Sequence, residues 1–253
     1  MEFEEALTPS LCRSQTWLRL TIPESKLHFG IPRFLQRANA QHRPSKEQAL
    51  KPKSVVDNKA FNEAAELPYS LRISDFLHAM NDVYDFFHDV NDLLSKKGLK
   101  RLDDMMRPAM MSGMISDMLT GSLAKFSRSL VENTHFNGHP DLVLRGAYAR
   151  DSVASGAEGV EIKSTIKRGG AVDTHGARTQ WMCVFVYKVD CNSEPASTRS
   201  PMQFVEVYLA QVSEVDFRSN DRGTLGTRTS TLHASGLKKL RSNWVYLLNK
   251  ALA

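Results

Sequence analysis

Two short runs in this chain carry the residue types that metal-assisted hydrolysis needs. Pro140-Asp141 stands immediately before the apolar Leu142-Val143-Leu144, and Glu161-Ile162-Lys163 lies inside the strand-like run Gly159–Ser164. Side chains alternate between the two faces of a strand. Val160 and Ile162 then face a core, and Glu161 and Lys163 share the other face. Pairing of the two strands would bring Asp141 beside Glu161, so that two carboxylates and an ammonium converge on one spot. Carboxylate oxygens are the ligands Mg²⁺ favours, and such a site usually keeps waters and takes up substrate phosphate oxygens.

Pro140-Asp141 followed by Glu161-x-Lys163 resembles the motif of the PD-(D/E)xK nuclease superfamily, to which many restriction endonucleases belong. Three longer runs are similar to a group of restriction-endonuclease-like proteins within it: Asn137-Gly138-His139-Pro140-Asp141, Gly159-Val160-Glu161-Ile162-Lys163-Ser164-Thr165 and His175-Gly176-Ala177-Arg178-Thr179-Gln180-Trp181. The resemblance covers roughly the C-terminal half of the chain. It implies an α/β fold with a restriction-endonuclease-like core, a mixed central β-sheet flanked by helices, and a helical N-terminal part. It also implies Mg²⁺-dependent hydrolysis of duplex DNA by a sequence-specific, type II-like restriction enzyme. Asp141, Glu161 and Lys163 would be the catalytic set, and one or two Mg²⁺ ions would be held by Asp141 and Glu161, with Ile162 counted among the metal-binding positions. Superfamily members often place a further acidic residue on the helix before the first site strand. Glu132 is the residue here that could fill that role, against the plainer reading of a solvated glutamate. Cutting both strands needs two sites or one that turns around, which makes a homodimer the default expectation. The alternative is a DNA-binding module on the same fold that does not cleave. The intact acidic pair with its lysine argues against it, since binding alone needs no clustered carboxylates facing phosphate.

DNA contacts are expected from several places. Lys167-Arg168-Gly169-Gly170 forms a basic, flexible loop, and glycine lets backbone approach a phosphate closely. Arg178 and Gln180 precede the third strand and could reach the site or a phosphate. Arg228 belongs to a basic tail with Arg218, Arg222, Lys238, Lys239 and Arg241, beside hydroxyls at Thr227, Thr229, Ser230 and Thr231 that bond phosphate oxygens.

These groups must be carried by regular elements. Ser74–Lys97 reads as a helix, with Ser74 as N-cap and Gly98 just past its end. Its stripe Phe76, Met80, Val83, Phe87, Val90, Leu94 fits either packing on its own core or a helix–helix dimer seam, and Asp75, Asp82, Asp85, Asp89 and Asp92 form the opposite face. A second helical region runs from Pro108 to Glu132, with Gly113 and Gly121 weakening it. Strands follow at Leu142–Leu144, Gly159–Thr165, Trp181–Val189 and Phe204–Val212, and a helix from about Ser235 includes Leu237, Leu240, Trp244, Leu247 and Leu248. The expected organisation is an irregular arm over 1–70 and a nuclease domain over 71–253, with a helical lead-in (71–132) and a basic C-terminal part (213–253).

Composition sets the outer limits. The chain has 253 residues, 42% of them apolar, and a net charge of +5, which suits a polyanionic partner. Cys12, Cys183 and Cys191 give no disulfide framework, and with no signal peptide a cytoplasmic location is expected. No apolar run approaches the roughly 20 residues of a membrane-spanning helix. His135 and His139 have a spacing that could serve zinc, but Cys183 and Cys191 are too far apart for a usual zinc pair. An HNH-type nuclease would leave Glu161 and Lys163 unexplained.

Overall fold

A computed structural model describes residues 50–220 and 229–249. The chain divides into Met1–Pro44 and Ser45–Ala253, and every described residue belongs to the second unit. The basic positions Arg222 and Arg228 lie outside the described residues. The stretch 50–70, expected to be part of an arm, belongs to the main body. Val56, Ala60 and Phe61 are buried in the same core as the first helix, and the rings of Phe61 and Tyr246 pack edge to face with centroids 4.9 Å apart.

The first layer is helical. Helix α1 (Ile73–Lys96) buries Phe76, Met80, Val83 and Phe87, so its heptad stripe closes this chain's own core. The helix begins one residue before the expected N-cap, because Asp75 supplies the cap. Its carboxylate accepts the Arg72 N–H at 2.9 Å and pairs with the Arg72 guanidinium at 2.6 Å. Asp75 is therefore buried and not part of a solvated acidic face as expected. Asp82 accepts from Ser122 at 3.0 Å and Lys125 at 3.3 Å on the third helix. A short helix, α2 (Leu102–Met105), leads into α3 (Pro108–Phe126), which starts on the proline as expected and runs unbroken past Gly113 and Gly121.

Helix α3 ends six residues before the expected Glu132. The Ser127 hydroxyl donates to the Leu130 carbonyl and accepts the Leu130 N–H, which turns the chain out of the helix and into strand β1 (Leu130–Glu132). The remaining strands are β2 (Leu142–Leu144), β3 (Gly159–Thr165), β4 (Asp173–Thr174), β5 (Gln180–Lys188), β6 (Gln203–Val212), β7 (Phe217–Asn220), β8 (Thr229–Leu232) and β9 (Trp244–Leu247), with helix α4 (Ala234–Ser242) between the last two. The central sheet has the order β1-β2-β3-β5-β6-β9 and is mixed: β3 and β5 are parallel and every other neighbouring pair is antiparallel. A second sheet, β4-β8-β7, is antiparallel.

Helices α1 and α3 cover one face of the central sheet over Val160, Ile162, Cys183 and Phe185. Helix α4 and the small sheet cover the other over Met182, Val184 and Val186, with Leu240 and Leu232 packed there. The architecture is thus mixed α/β, with a mixed central sheet between a helical layer and a layer of α4 and the small sheet. The tail differs from expectation: Trp244 and Leu247 belong to the sixth strand of the sheet, not to a helix. The Asn243 amide donates to the Leu209 and Glu66 carbonyls and fixes the break between helix and strand. Among the described residues no helix is long and apolar enough to cross a membrane.

Candidate functional site

Strand β2 is only three residues long and pairs with β3 only at Gly159 and Val160. The close approach depends on Gly159, where an added Cβ would stand 1.9 Å from the Leu142 carbonyl oxygen and 2.7 Å from the Pro140 ring. Beyond Val160 this edge of β3 would lack a partner. Asp141 takes the next rung, its Oδ2 accepting the Ile162 N–H at 2.7 Å. The chain entering β2 is held by Asn133, whose side-chain amide donates to the Pro140 and Val153 carbonyls at 3.0 and 2.9 Å, and whose N–H donates to the Asp141 carbonyl.

The expected convergence is present. Lys163 Nζ lies 2.5 Å from Glu161 Oε1 and 3.7 Å from Asp141 Oδ2. Strand alternation puts Val160 and Ile162 in the helix-side core, and Glu161 and Lys163 on the opposite face, as expected. Glu161 is nonetheless almost fully buried, closed in by His139 and Lys163 beside Asp141. The Ile162 side chain is in the core, so only its main chain can take part. Asp141 and Lys163 open onto a cleft of about 600 Å³ between α3 and the segment after β3, with Ser112, Ser116, Asp117 and Lys167 in its walls. A larger cleft of about 930 Å³, lined by Arg101, Tyr187 and Arg199 among others, contains none of the three converging groups and has no evident chemistry.

The electrostatics of the pair are divided. Burial, and then the neighbouring Glu161, push the Asp141 carboxyl up to about 6, against the pull of Lys163 and the Ile162 N–H. Burial acts on Glu161 in the same direction, but the hydrogen bond from His139 and the Lys163 ammonium outweigh it and hold Glu161 below the usual carboxylate range. Lys163 is raised, because its two carboxylates outweigh the effect of its own burial. A buried and a half-buried carboxylate thus share one ammonium, and the excess negative charge favours a further cation.

Two groups at the site were not assigned to it from sequence. His139 Nδ1 lies 3.2 Å from both oxygens of Glu161, and the main chain of His139 is fixed by bonds to Ala154 and Gly156. Donor atoms of His139, Asp141 and Glu161 all lie within 4.8 Å of one another. The available signal was spacing: positions two apart in extended chain share a side. Asp117 is exposed in the cleft wall on α3, where Ser112, Ser116 and Thr120 make a polar stripe at helical spacing beside the buried Met111, Ile115 and Leu119.

Other expected residues are placed elsewhere. Glu132 is on β1, paired with Leu142, and so faces α3 on the sheet face opposite Glu161. Its carboxylate would lie 3.4 Å from a Cβ on Gly121, and it is not among the grouped donors. The acidic residue that α3 does bring to the cleft is Asp117. Lys167 and Arg168 are exposed on a loop pinned to the sheet: Gly169 donates its N–H to Glu206 at 2.7 Å, and its carbonyl accepts from Arg241 at 2.8 Å. Arg178 is half-buried before β5. Gln180, expected as a DNA contact, is 3% exposed at the first position of β5.

No protein-family model, curated protein or solved structure matches this chain.

Proposed function

We propose that the protein is a Mg²⁺-dependent DNA endonuclease built on a restriction-endonuclease-like core. The observation that carries this reading is the meeting of Asp141, Glu161 and Lys163 at an open strand edge on a cleft. The donor set suits a divalent cation, since carboxylate oxygens converge from two strands with excess negative charge. Such an ion, when bound, lowers the pKa of a bound water and neutralises charge on the phosphate under attack.

The protein's own groups do the positioning. The Ile162 N–H orients the Asp141 carboxylate, and His139 holds Glu161 across both of its oxygens, one of which Lys163 also binds. Lys163 keeps its proton in this setting and so presents a fixed positive charge beside the carboxylates. There it can orient the attacking water or stabilise charge developing on the phosphoryl oxygens, and a preorganised donor needs no rearrangement during the reaction. Lys167 and Arg168, on their pinned loop, suit the neighbouring phosphates of a duplex. Cleavage of both strands calls for two such sites, so the expected assembly on DNA is a homodimer, and a restriction-type role is the expected use.

Asp141→Ala tests the assignment. The folded variant should bind duplex DNA and fail to cut it in Mg²⁺. Cutting at the wild-type rate would refute the role given to this carboxylate.

A further inference from the structure

The imidazole of His139 changes what the site should bind. Mg²⁺ is a hard ion that takes oxygen ligands and retains waters, so it gains little from a nitrogen donor. First-row transition ions bind imidazole well, and their affinity for a mixed nitrogen and oxygen site exceeds that of Mg²⁺. Here Nδ1 of His139 already stands 3.2 Å from each Glu161 oxygen, and a ring nitrogen of His139 lies within 4.8 Å of an Asp141 oxygen. Ligands around one ion at roughly 2.0–2.2 Å stand about 3–4 Å apart, so only a small inward adjustment is needed. The backbone of His139 is fixed on both sides, its N–H donating to Ala154 and its carbonyl accepting from Gly156. The ring is therefore presented on a rigid segment and not on a free loop.

The face of Glu161 also carries a buried acceptor without a donor: the Gln180 amide oxygen lacks a hydrogen-bond partner among the described residues, and alternation from Met182, the strand partner of Glu161, puts Gln180 on that face. Gln180 is not one of the grouped donors, which are His139, Asp141 and Glu161.

We propose that His139 is a metal ligand, and that the centre it forms with Asp141 and Glu161 takes a transition ion of the Mn²⁺ class in preference to Mg²⁺. This rests on reading the site as a metal-dependent phosphodiesterase, and it changes which ion that enzyme uses. This role replaces the hydrogen bond of the metal-free site: a ring nitrogen that binds the ion carries no proton, so on metal loading it gives up its bond to Glu161.

The experiment uses the full chain, alone and with an inert phosphorothioate duplex, titrated with Mn²⁺ and with Mg²⁺ by calorimetry. Pulsed electron paramagnetic resonance on the Mn²⁺ sample then looks for modulation from a directly bonded nitrogen. The expected result is Mn²⁺ binding at least about tenfold tighter than Mg²⁺, with a nitrogen signal. His139→Ala should lose the nitrogen signal and weaken Mn²⁺ by roughly 10–100-fold, while Mg²⁺ changes by less than about threefold. His139→Gln, which keeps a polar group beside Glu161, should behave like His139→Ala if ligation by nitrogen is what matters. Thermal melting of each variant confirms that it folds. Equal affinity for the two ions, or a nitrogen-free spectrum from wild-type protein that binds Mn²⁺, would overturn the role of His139 and leave the metal-dependent reading standing. A folded wild-type chain that binds neither ion, with or without duplex, would overturn both.

Discussion

Asp141→Asn should stabilise the metal-free protein at neutral and alkaline pH, because the wild-type site holds a carboxylate that burial and Glu161 disfavour. The Asp141 carboxyl rises from 3.8 to about 6 on folding. Folding therefore takes up a proton between those values. The residue leaves stability untouched below about pH 4 and costs stability progressively as pH rises through about 6. A rise of this size corresponds to about 3 kcal/mol as a ceiling. The side chain is 28% exposed, and solvent screens part of the effect, so about 1–2 kcal/mol is the working figure. The amide oxygen of asparagine can still accept the Ile162 N–H, so the β2–β3 rung survives. For a domain of this size the gain corresponds to about 2–8 °C in melting temperature. Melting both proteins in chelator at about pH 8 and about pH 4 isolates the charge, since any pH-independent cost of the amide cancels in the comparison. The gain should be present at the higher pH and vanish at the lower. Saturating Mn²⁺ or Mg²⁺ should reverse the order, because only the wild-type carboxylate repays its burial by binding an ion. A gain that is the same at both pH values, or a loss confined to the higher pH, would refute the electrostatic account of the site.

Three further outcomes follow from the same geometry. Lys163→Gln should keep fold and metal affinity but lose roughly 10²–10³ in single-turnover cleavage, and Lys163→Arg should also be poor because a planar fork does not replace a compact ammonium; near-normal rates in both would remove Lys163 from the chemistry. Lys167→Ala should weaken duplex binding and lower the slope of log affinity against log salt by about one, as measured by a salt titration. Gly159→Ala forces a Cβ into the Leu142 carbonyl; it should destabilise the protein by more than about 2 kcal/mol in denaturant melts and, by parting β2 from β3, cut metal affinity as well.

The site strands were legible because their chemistry sits on a simple period. Glu161 and Lys163 alternate with Val160 and Ile162, and that alternation was enough to place them on one face beside Asp141. What the period could not give was depth. Glu161 is buried on the face that alternation marks as polar, closed in by His139 and Lys163. Gln180, on the same sheet face, is buried too. Glu132 was misplaced for a local reason: its apolar neighbours continue the helical pattern of α3, and the Ser127 hydroxyl bonds that end the helix have no strong sequence mark. Strand β9 reads as helix in the sequence because its four residues, all but Trp244 buried, carry no period of two. His139 stands in the run Asn137–Asp141 and in a histidine spacing, but neither marks it as a partner of Glu161, which lies across a strand pair that sequence distance conceals.

The most direct test of the central claim is incubation of the full chain with mixed-sequence duplex DNA in chelator, in Mg²⁺ and in Mn²⁺, followed by sequencing of any new ends. The account requires new ends in the metal samples, none in chelator, and none from Asp141→Ala under any condition. Intact DNA in both metals with a folded chain that binds the duplex would contradict it, as would equal cutting by Asp141→Ala.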